Sequence, residues 1–551
     1  MSIDATPGPG RFAVAPAVTA PERVLPSGWG ERLRYSRTAE RWREWAGWDV
    51  SGSAPVVLAS IALGVVVLTS LLLVSLAAAR PGILVPAAIA KTGDYPGWIS
   101  GPTGVLTSWF SIGHHTERVL FTAAIATMLV AYLVVAYAAP RLRAPWVLGA
   151  IVLVHVIFLL SPPLTLTDVF NYLNYGRMEG VYHLNPYVTI PALEPHSDPT
   201  FLLSNWHGLL SPYGPLFTVF TIALVPLGVA GSFWAMKVAL MLASLGTIFL
   251  VYRCADLLGR DPLTAVVIIG INPIVLVWGL GGDHNDFLMI FFLVLGCWLL
   301  LRANAMRIGK RARRPRRPPK TAVGADLRRF WAWLDGMPRP LVVGEPAAWM
   351  EIGAGVALVA AVAIKASSAV LVPIIVAGAA RRIRVATGVV IGLVAASAMT
   401  VIAFGVNLPN VGQQDVLVIP DGIPNLIGLT LGFGGYTPPM RHVVTLLLIA
   451  VIAGAVLWVW RTRRWLTACG VATVALLMTL GWTLPWYIIW LLPFAALSRS
   501  RGLRIVAALL CVYIYLAWMP YSSEVLGFLH INPATTNLGA QESNFMNTLL
   551  F

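Results

Sequence analysis

Charge is what this chain of 551 residues has least of. Asp, Glu, Lys and Arg together make up 11% of it, where a soluble domain carries about 25%. That excludes an ordinary soluble enzyme with a solvated, charged surface. Acids are scarcer than bases, 24 against 39, for a net charge of +15. Cysteine is scarce as well. Cys254, Cys297, Cys469 and Cys511 lie in or beside apolar stretches without metal-ligand spacing, and they read as packing residues. Soluble cofactor motifs are missing: there is no Walker A loop, no GxGxxG after a strand and no HExxH. The alternation of a membrane barrel is absent, and so is the internal repeat of a transporter built from inverted halves.

What the chain has in abundance is apolar sequence, 58% of its residues. Several runs reach the roughly 18 residues that cross a bilayer core as a helix. The fold class is therefore an all-α polytopic membrane protein. The first apolar span begins near Ala54, too late and too long for a cleaved signal peptide. Residues 1–30, rich in Pro, Gly and Ala, read as disordered. The excess of positive charge sits in short connections between apolar runs, as the positive-inside bias requires. The arginines between Arg32 and Arg43 place the N-terminus in the cytoplasm. The acid-free run RANAMRIGKRARRPRRPPK, Arg302 to Lys320, reads as a cytoplasmic loop drawn to anionic membrane lipids. Nucleic acid is the other ligand such a run suggests, and the positioning between membrane spans argues against it.

About a dozen spans follow from the pattern, at 54–79, 118–139, 146–164, 213–229, 233–252, 263–279, 288–301, 352–364, 369–380, 385–404, 443–460, 466–484, 487–497 and 505–519. The segment 165–212, long and poor in charge, is expected to hug the outer surface as short amphipathic helices. Two full crossings at 213–229 and 233–252 would put Arg253 on the wrong side. One of them, more simply 213–229 with Pro215 and Pro226, is expected to be re-entrant or broken, which is tolerated only where backbone is buried or lines a cavity. The resulting division is a cytoplasmic N-terminus (1–50), an extra helix pair (51–145), a main membrane module (146–520) with a basic cytoplasmic loop (302–349), and an outer tail (521–551).

Polar residues gather where spans end on the outer side. In LSPPLTLTDVFNYLNYGRMEGVYHLNPYV, Leu160 to Val188, two prolines end a span and Asp168 follows at once. Asn171, Tyr172 and Arg177 stand near it. Asp168 suits a general base that takes a proton from an attacking hydroxyl. It equally suits a cap on the helix that starts at Val169, a task Thr167 could share. GGDHNDF, Gly281 to Phe287, offers Asp283, His284, Asn285 and Asp286 as substrate contacts, metal ligands or caps. Lys365 interrupts an apolar pair of half-spans, which is expensive unless it meets an anion or reaches the interface. Lys365 and Arg441 could neutralise a phosphate, Arg bidentately and Lys as a point charge. The aromatics Tyr213, Trp486 and Tyr487 could stack on sugar rings or belong to an interfacial belt. The pair His114-His115 lacks a third metal ligand at useful spacing.

Taken together, TDVFNYLNYGRM, NPY (Asn185 to Tyr187), SPYGPLF (Ser211 to Phe217), NPIVLVWGLGGDHNDFLM (Asn272 to Met289), AIKASSAVLVP around Lys365, and PWYIIWLLP (Pro485 to Pro493) resemble the actinobacterial polyprenol-phosphomannose-dependent α-1,6-mannosyltransferases. These are GT-C glycosyltransferases of lipomannan and lipoarabinomannan assembly. The resemblance spans roughly residues 50–520. It implies a multi-pass plasma-membrane enzyme with its active site on the outer face, and two partners besides the surrounding lipid: a polyprenyl-phosphate-mannose donor and a mannan acceptor. It implies Asp168 as a single catalytic base. Lys365, with Arg177 or Arg441, would stabilise the departing phosphate. Asn171, Tyr172, Tyr213, His284, Asn285, Asp286, Trp486 and Tyr487 would line the sugar site. A lipid monophosphate donor needs no pyrophosphate-bridging cation, so neither metal nor other cofactor is expected. Another lipid-linked sugar such as arabinofuranose, or a lipid-linked sugar flippase, remains the alternative; a flippase would tolerate the loss of Asp168.

Overall fold

A computed structural model describes residues 54–79, 96–109, 113–165, 168–312, 345–410, 412 and 417–528. The whole N-terminal segment 1–50, the greater part of the basic loop 302–349 and the end of the tail lie outside the described residues, as does Thr167. Among the described residues every regular element is helical, so the all-α membrane class holds.

The principal helices are α1 (Ala54–Ala79), α2 (His114–Ala138), α3 (Ala144–Leu159), α4 (Asp168–Tyr182), α5 (Pro215–Leu224), α6 (Gly228–Leu257), α7 (Pro262–Gly270), α8 (Asp286–Ala312), α9 (Pro346–Ile364), α10 (Val372–Gly378), α11 (Arg382–Phe404), α12 (Pro438–Thr462), α13 (Trp465–Thr479), α14 (Leu492–Leu497) and α15 (Arg501–Ala517). Seven described segments are long and apolar enough to cross a membrane, and four shorter apolar helices accompany them. The chain is thus a multi-pass membrane protein. Prolines at the first turns of α3, α5, α7, α9 and α12 start those helices where a free N–H has no partner to lose.

The parity question at 213–252 resolves into one long helix. α6 runs for 30 residues, about 45 Å, and spans unaided. α5 has only ten residues. It ends in a tight turn at Pro226, followed by Gly228 with φ +71°. The break expected from Pro215 and Pro226 is present.

Two expectations need correction. The outer segment does not simply hug the surface. Its first half is the 15-residue helix α4, buried from Asp168 through Gly176 and packed against α5. The reason is that its polar side chains are satisfied from within. Asn171 Oδ1 accepts from the backbone N–H groups of Asn205 and Trp206, while its Nδ2 donates to Asn205. Tyr175 donates to the Leu209 carbonyl. Thr200 donates to Asn174. The loop after α4 therefore folds over it as a cover. The span expected at 263–279 is also discontinuous. α7 stops at Gly270, and a π-helical turn covers Val275–Leu280, the kind of local widening that often accompanies a functional site.

Without water to drive helices together, close contact between small residues does much of the holding in a bilayer. α9 and α11 cross on Gly355, Gly388 and Gly392. A Cβ at Gly388 would lie 1.9 Å from the Ile352 carbonyl oxygen, a backbone atom that cannot step aside. Gly388→Leu should destabilise the folded protein by about 1–3 kcal/mol or more and lower its melting temperature in detergent. A surface-facing control such as Val394→Leu should leave the melting temperature unchanged.

Candidate active site

The site forms where four chain segments meet: the N-terminus of α4, the loop Gly281–Asn285 between the π-helical turn and α8, the end of α9 at Lys365, and the helical turn Pro485–Trp490. Asp168 is the first residue of α4 rather than its cap. Its carboxylate Oδ2 lies 3.2 Å from His284 Nδ1. It is 6% exposed, and the positive end of the α4 dipole favours its charge. Among the described residues no hydrogen bond occupies Oδ1. A proton on His284 Nδ1 satisfies Oδ2; this tautomer is inferred from the contact. Glu179, eleven residues on, sits about 16 Å along the helix axis, which removes it as a second acid at this point.

His284 is held on every side. Its ring stacks on Trp486 with centroids 3.4 Å apart and planes within 8°. Tyr172 Oη is 3.5 Å from Nδ1 and accepts from the Asn285 N–H at 3.4 Å. Burial first, and then the charge of Asp168, push the Tyr172 hydroxyl well above the usual phenol range, so it stays neutral. Tyr172 meets Tyr213 and Phe217 edge to face. Gly282 has to be glycine, because a Cβ there would fall 2.5 Å from His284 Nε2 and 2.4 Å from the Trp278 carbonyl oxygen. The preceding turn is held by charge. Asp283 adopts φ +56°, a left-handed conformation that few residues other than Gly, Asn and Asp take. Both of its oxygens accept from Lys237 Nζ at 2.9 Å. Lys237 comes from the middle of α6.

On the other side of His284, Asp286 opens α8 and accepts from Lys365 Nζ at 2.9 and 3.0 Å and from Trp490 Nε1 at 2.6 Å. The Lys365 ammonium stands 4.7 Å from the centre of the Tyr487 ring and 5.5 Å from that of Trp490, and those two rings stack at 4.2 Å. With 18% of its side chain exposed, Lys365 is the open member of its pair. Gly214 N–H donates to the Ile364 carbonyl, which brings the Tyr213 loop beside this lysine. Several polar atoms here are buried with no hydrogen-bond partner among the described residues: His284 Nε2, both amide atoms of Asn285, and Trp486 Nε1. Such atoms are rare in native structures.

The structure thus brings together Asp168, Tyr172, Tyr213, His284, Asn285, Asp286, Lys365, Trp486 and Tyr487. It commits the remaining candidates elsewhere. Asn171 ties down the loop that covers α4. Arg177 donates three hydrogen bonds to Asp198. Arg441 lies over the Tyr436 ring. Among the described residues no group of three or more His, Cys, Asp or Glu side chains could hold a metal. Sequence reasoning missed Lys237, Asp198 and Trp490. A lysine inside a 30-residue apolar helix was the available signal for the first.

Compared with known proteins, residues 68–381 match the family model described as "Alpha-(1->6)-mannopyranosyltransferase, N-terminal domain", and residues 422–537 match "MptB C-terminal domain". The first match alone covers more than half of the chain. The chain belongs to the alpha-(1->6)-mannopyranosyltransferase family. Among curated relatives, alpha-(1->6)-mannopyranosyltransferase A of Mycobacterium tuberculosis is 26% identical over 78% of this chain and 81% of its own length. A probable alpha-(1->6)-mannopyranosyltransferase of Mycolicibacterium smegmatis is 25% identical over 63% and 64%. The Corynebacterium glutamicum alpha-(1->6)-mannopyranosyltransferase A is 28% identical over 26% and 29%. No solved structure matches the chain. The family match takes in the three site segments up to Lys365 and, in its second part, the Pro485–Trp490 turn.

The loop over α4 carries two acids of opposite behaviour. Burial alone would raise the Asp198 carboxyl, but donors from Arg177, Thr200 and Tyr182 outweigh it and hold it at about 2. Burial pushes Glu194 up to about 7, against only partial help from Asn174. An acid whose folded value exceeds its unfolded one, here 4.5, keeps a proton that the unfolded chain releases. Its contribution to stability is complete below about 4.5 and is lost as the pH rises through 7. Glu194→Gln should therefore raise the melting temperature relative to the parent at pH 8 and leave it unchanged at pH 4.

Proposed function

We propose that this protein is an inverting mannosyltransferase that takes mannose from a polyprenyl-phosphate-mannose donor and adds it to a mannan acceptor through an α-1,6 link, on the outer face of the membrane. The observation that carries this reading is the buried Asp168 carboxylate, clamped on one oxygen by His284 and open on the other, beside a lysine and stacked aromatic rings at the end of a membrane helix. The family match and the relatives' names support mannose as the sugar.

Asp168 Oδ1 accepts the proton of the acceptor 6-hydroxyl as that oxygen forms its bond to the anomeric carbon. The bond from the anomeric carbon to the phosphate oxygen breaks, and its electron pair leaves with the polyprenyl phosphate. One carboxylate base suffices for inversion, because no covalent sugar-enzyme intermediate forms. His284 fixes the carboxylate and stabilises it before the proton arrives. Lys365, held by Asp286 and backed by Tyr487 and Trp490, supplies positive charge where charge builds on the leaving phosphate. The unpartnered polar atoms of Asn285 and Trp486 suit sugar hydroxyls. Arg177 and Arg441 take no part in this step. The leaving group is a single phosphate with no pyrophosphate bridge, so a divalent cation is not required.

Purified protein given polyprenyl-phosphomannose and short α-1,6-mannosides should produce a longer α-1,6-linked product, identified by linkage analysis. Asp168→Asn should lower kcat by about 10²–10⁴-fold with the fold intact. Near-parental turnover by this variant would refute the base assignment. Arabinofuranose transfer in place of mannose would overturn the donor. Chelation with EDTA should leave the rate unchanged.

A further inference from the structure

Lys237 has no place in the chemistry above, yet it is among the most deeply buried charges of the described chain. Its side chain is 1% exposed and that of Asp283 is 3% exposed. A buried ion pair is poor evidence of stability, because desolvation of the two charges offsets most of their attraction. Apolar residues could have filled this part of α6 at no loss. Something other than stability accounts for a lysine here.

The geometry points to Lys237 as a positioning residue for the Asp168–His284 pair, acting through Asp283. Three observations converge on this. Lys237 holds both Asp283 oxygens at equal distance, which fixes the carboxylate in orientation as well as place. Asp283 is in the left-handed region, a tight turn whose side chain has its partner in Lys237. His284 follows directly, and its Nδ1 meets Asp168 across 3.2 Å. The Asp283–His284 peptide bond passes the constraint directly to His284. The groups that face the His284 ring are Asp168, Tyr172, Trp486 and the Gly282 backbone. The turn is held further by the Leu164 N–H on the Gly281 carbonyl, the Asp283 and His284 N–H groups on the Leu280 and Gly279 carbonyls, and the Asn285 N–H on Tyr172, but among the described residues only Lys237 grips the Asp283 side chain. Lys237 touches neither donor nor acceptor in this scheme. A misplacement of about 1 Å in such a constellation costs about 10²-fold in rate. The inference rests on the mannosyl-transfer reading for the reaction it serves.

The test compares the full-length protein with Lys237→Met, Lys237→Arg and the double variant Lys237→Met/Asp283→Asn. The assay is mannosyl transfer from polyprenyl-phosphomannose to an α-1,6-mannoside, with the melting temperature of each variant measured alongside. Lys237→Met strands a buried carboxylate and should lower kcat by about 100-fold while KM stays within about twofold. Lys237→Arg keeps the charge and should recover most of kcat. The double variant carries no buried charge at this point, and Asn tolerates the left-handed turn. It should regain at least about tenfold over Lys237→Met. A merely structural lysine would instead give less folded protein with unchanged kcat per folded molecule, and that result overturns the inference. So does parental kcat in folded Lys237→Met, or a double variant no better than the single one. If the parent transfers and Asp168→Asn does not, those outcomes defeat only the role of Lys237. If the parent transfers no lipid-linked sugar, the proposed function falls and this inference falls with it.

Discussion

In a low-dielectric interior a charge persists only with a partner within hydrogen-bonding distance, and the structure around the site is arranged to meet that condition. Asp283 has Lys237, Asp286 has Lys365 and Asp198 has Arg177. Each acid has a permanent cation. Asp168 differs, because its partner is an imidazole. It is the one carboxylate of these four without a Lys or Arg partner. The paired acids around it are silenced, which leaves the field at Asp168 to be set by His284, the helix terminus and whatever enters.

The same condition explains why the fold is so irregular here. A regular span keeps its backbone polar atoms paired within the helix and offers only side chains. The π-helical turn before Gly281 and the non-helical residue Lys365 each interrupt a helix, and each lies beside a side chain of the site. Irregular backbone within a membrane protein is tolerated where protein covers it. Here the loop after α4 and the Pro485–Trp490 turn provide that cover.

Much of this could be read from the sequence. Apolar length located most spans, and the first helix falls on the expected residues 54–79. The prolines at 215 and 226 marked the broken segment, because proline leaves a local trace. Asp168, His284, Asp286, Lys365 and Trp486 stood out as polar or aromatic groups at span ends. What could not be read was pairing. Lys365 and Asp286 are 79 residues apart, and nothing local couples them. Both arginines expected at the phosphate are cations with partners elsewhere, and a lone sequence does not say which acid a cation meets. α4 misled for a related reason. Its Asn, Tyr and Arg residues look solvated until the loop that satisfies them is folded over it.

The three ion pairs also bear on how a substrate arrives. A cation locked against its anion behaves at a distance as a small dipole, and its field falls away much faster than that of a free charge. The site therefore projects little attraction beyond its own rim, despite the strong positive balance of the whole chain. An anionic lipid headgroup would not be drawn in from afar by electrostatic steering of the kind that speeds association of charged partners in solution. Encounter would depend on diffusion within the plane of the membrane. Ions in the surrounding medium would have little to screen. On the proposed reading, recognition would begin only at contact, when the donor phosphate competes with Asp286 for Lys365.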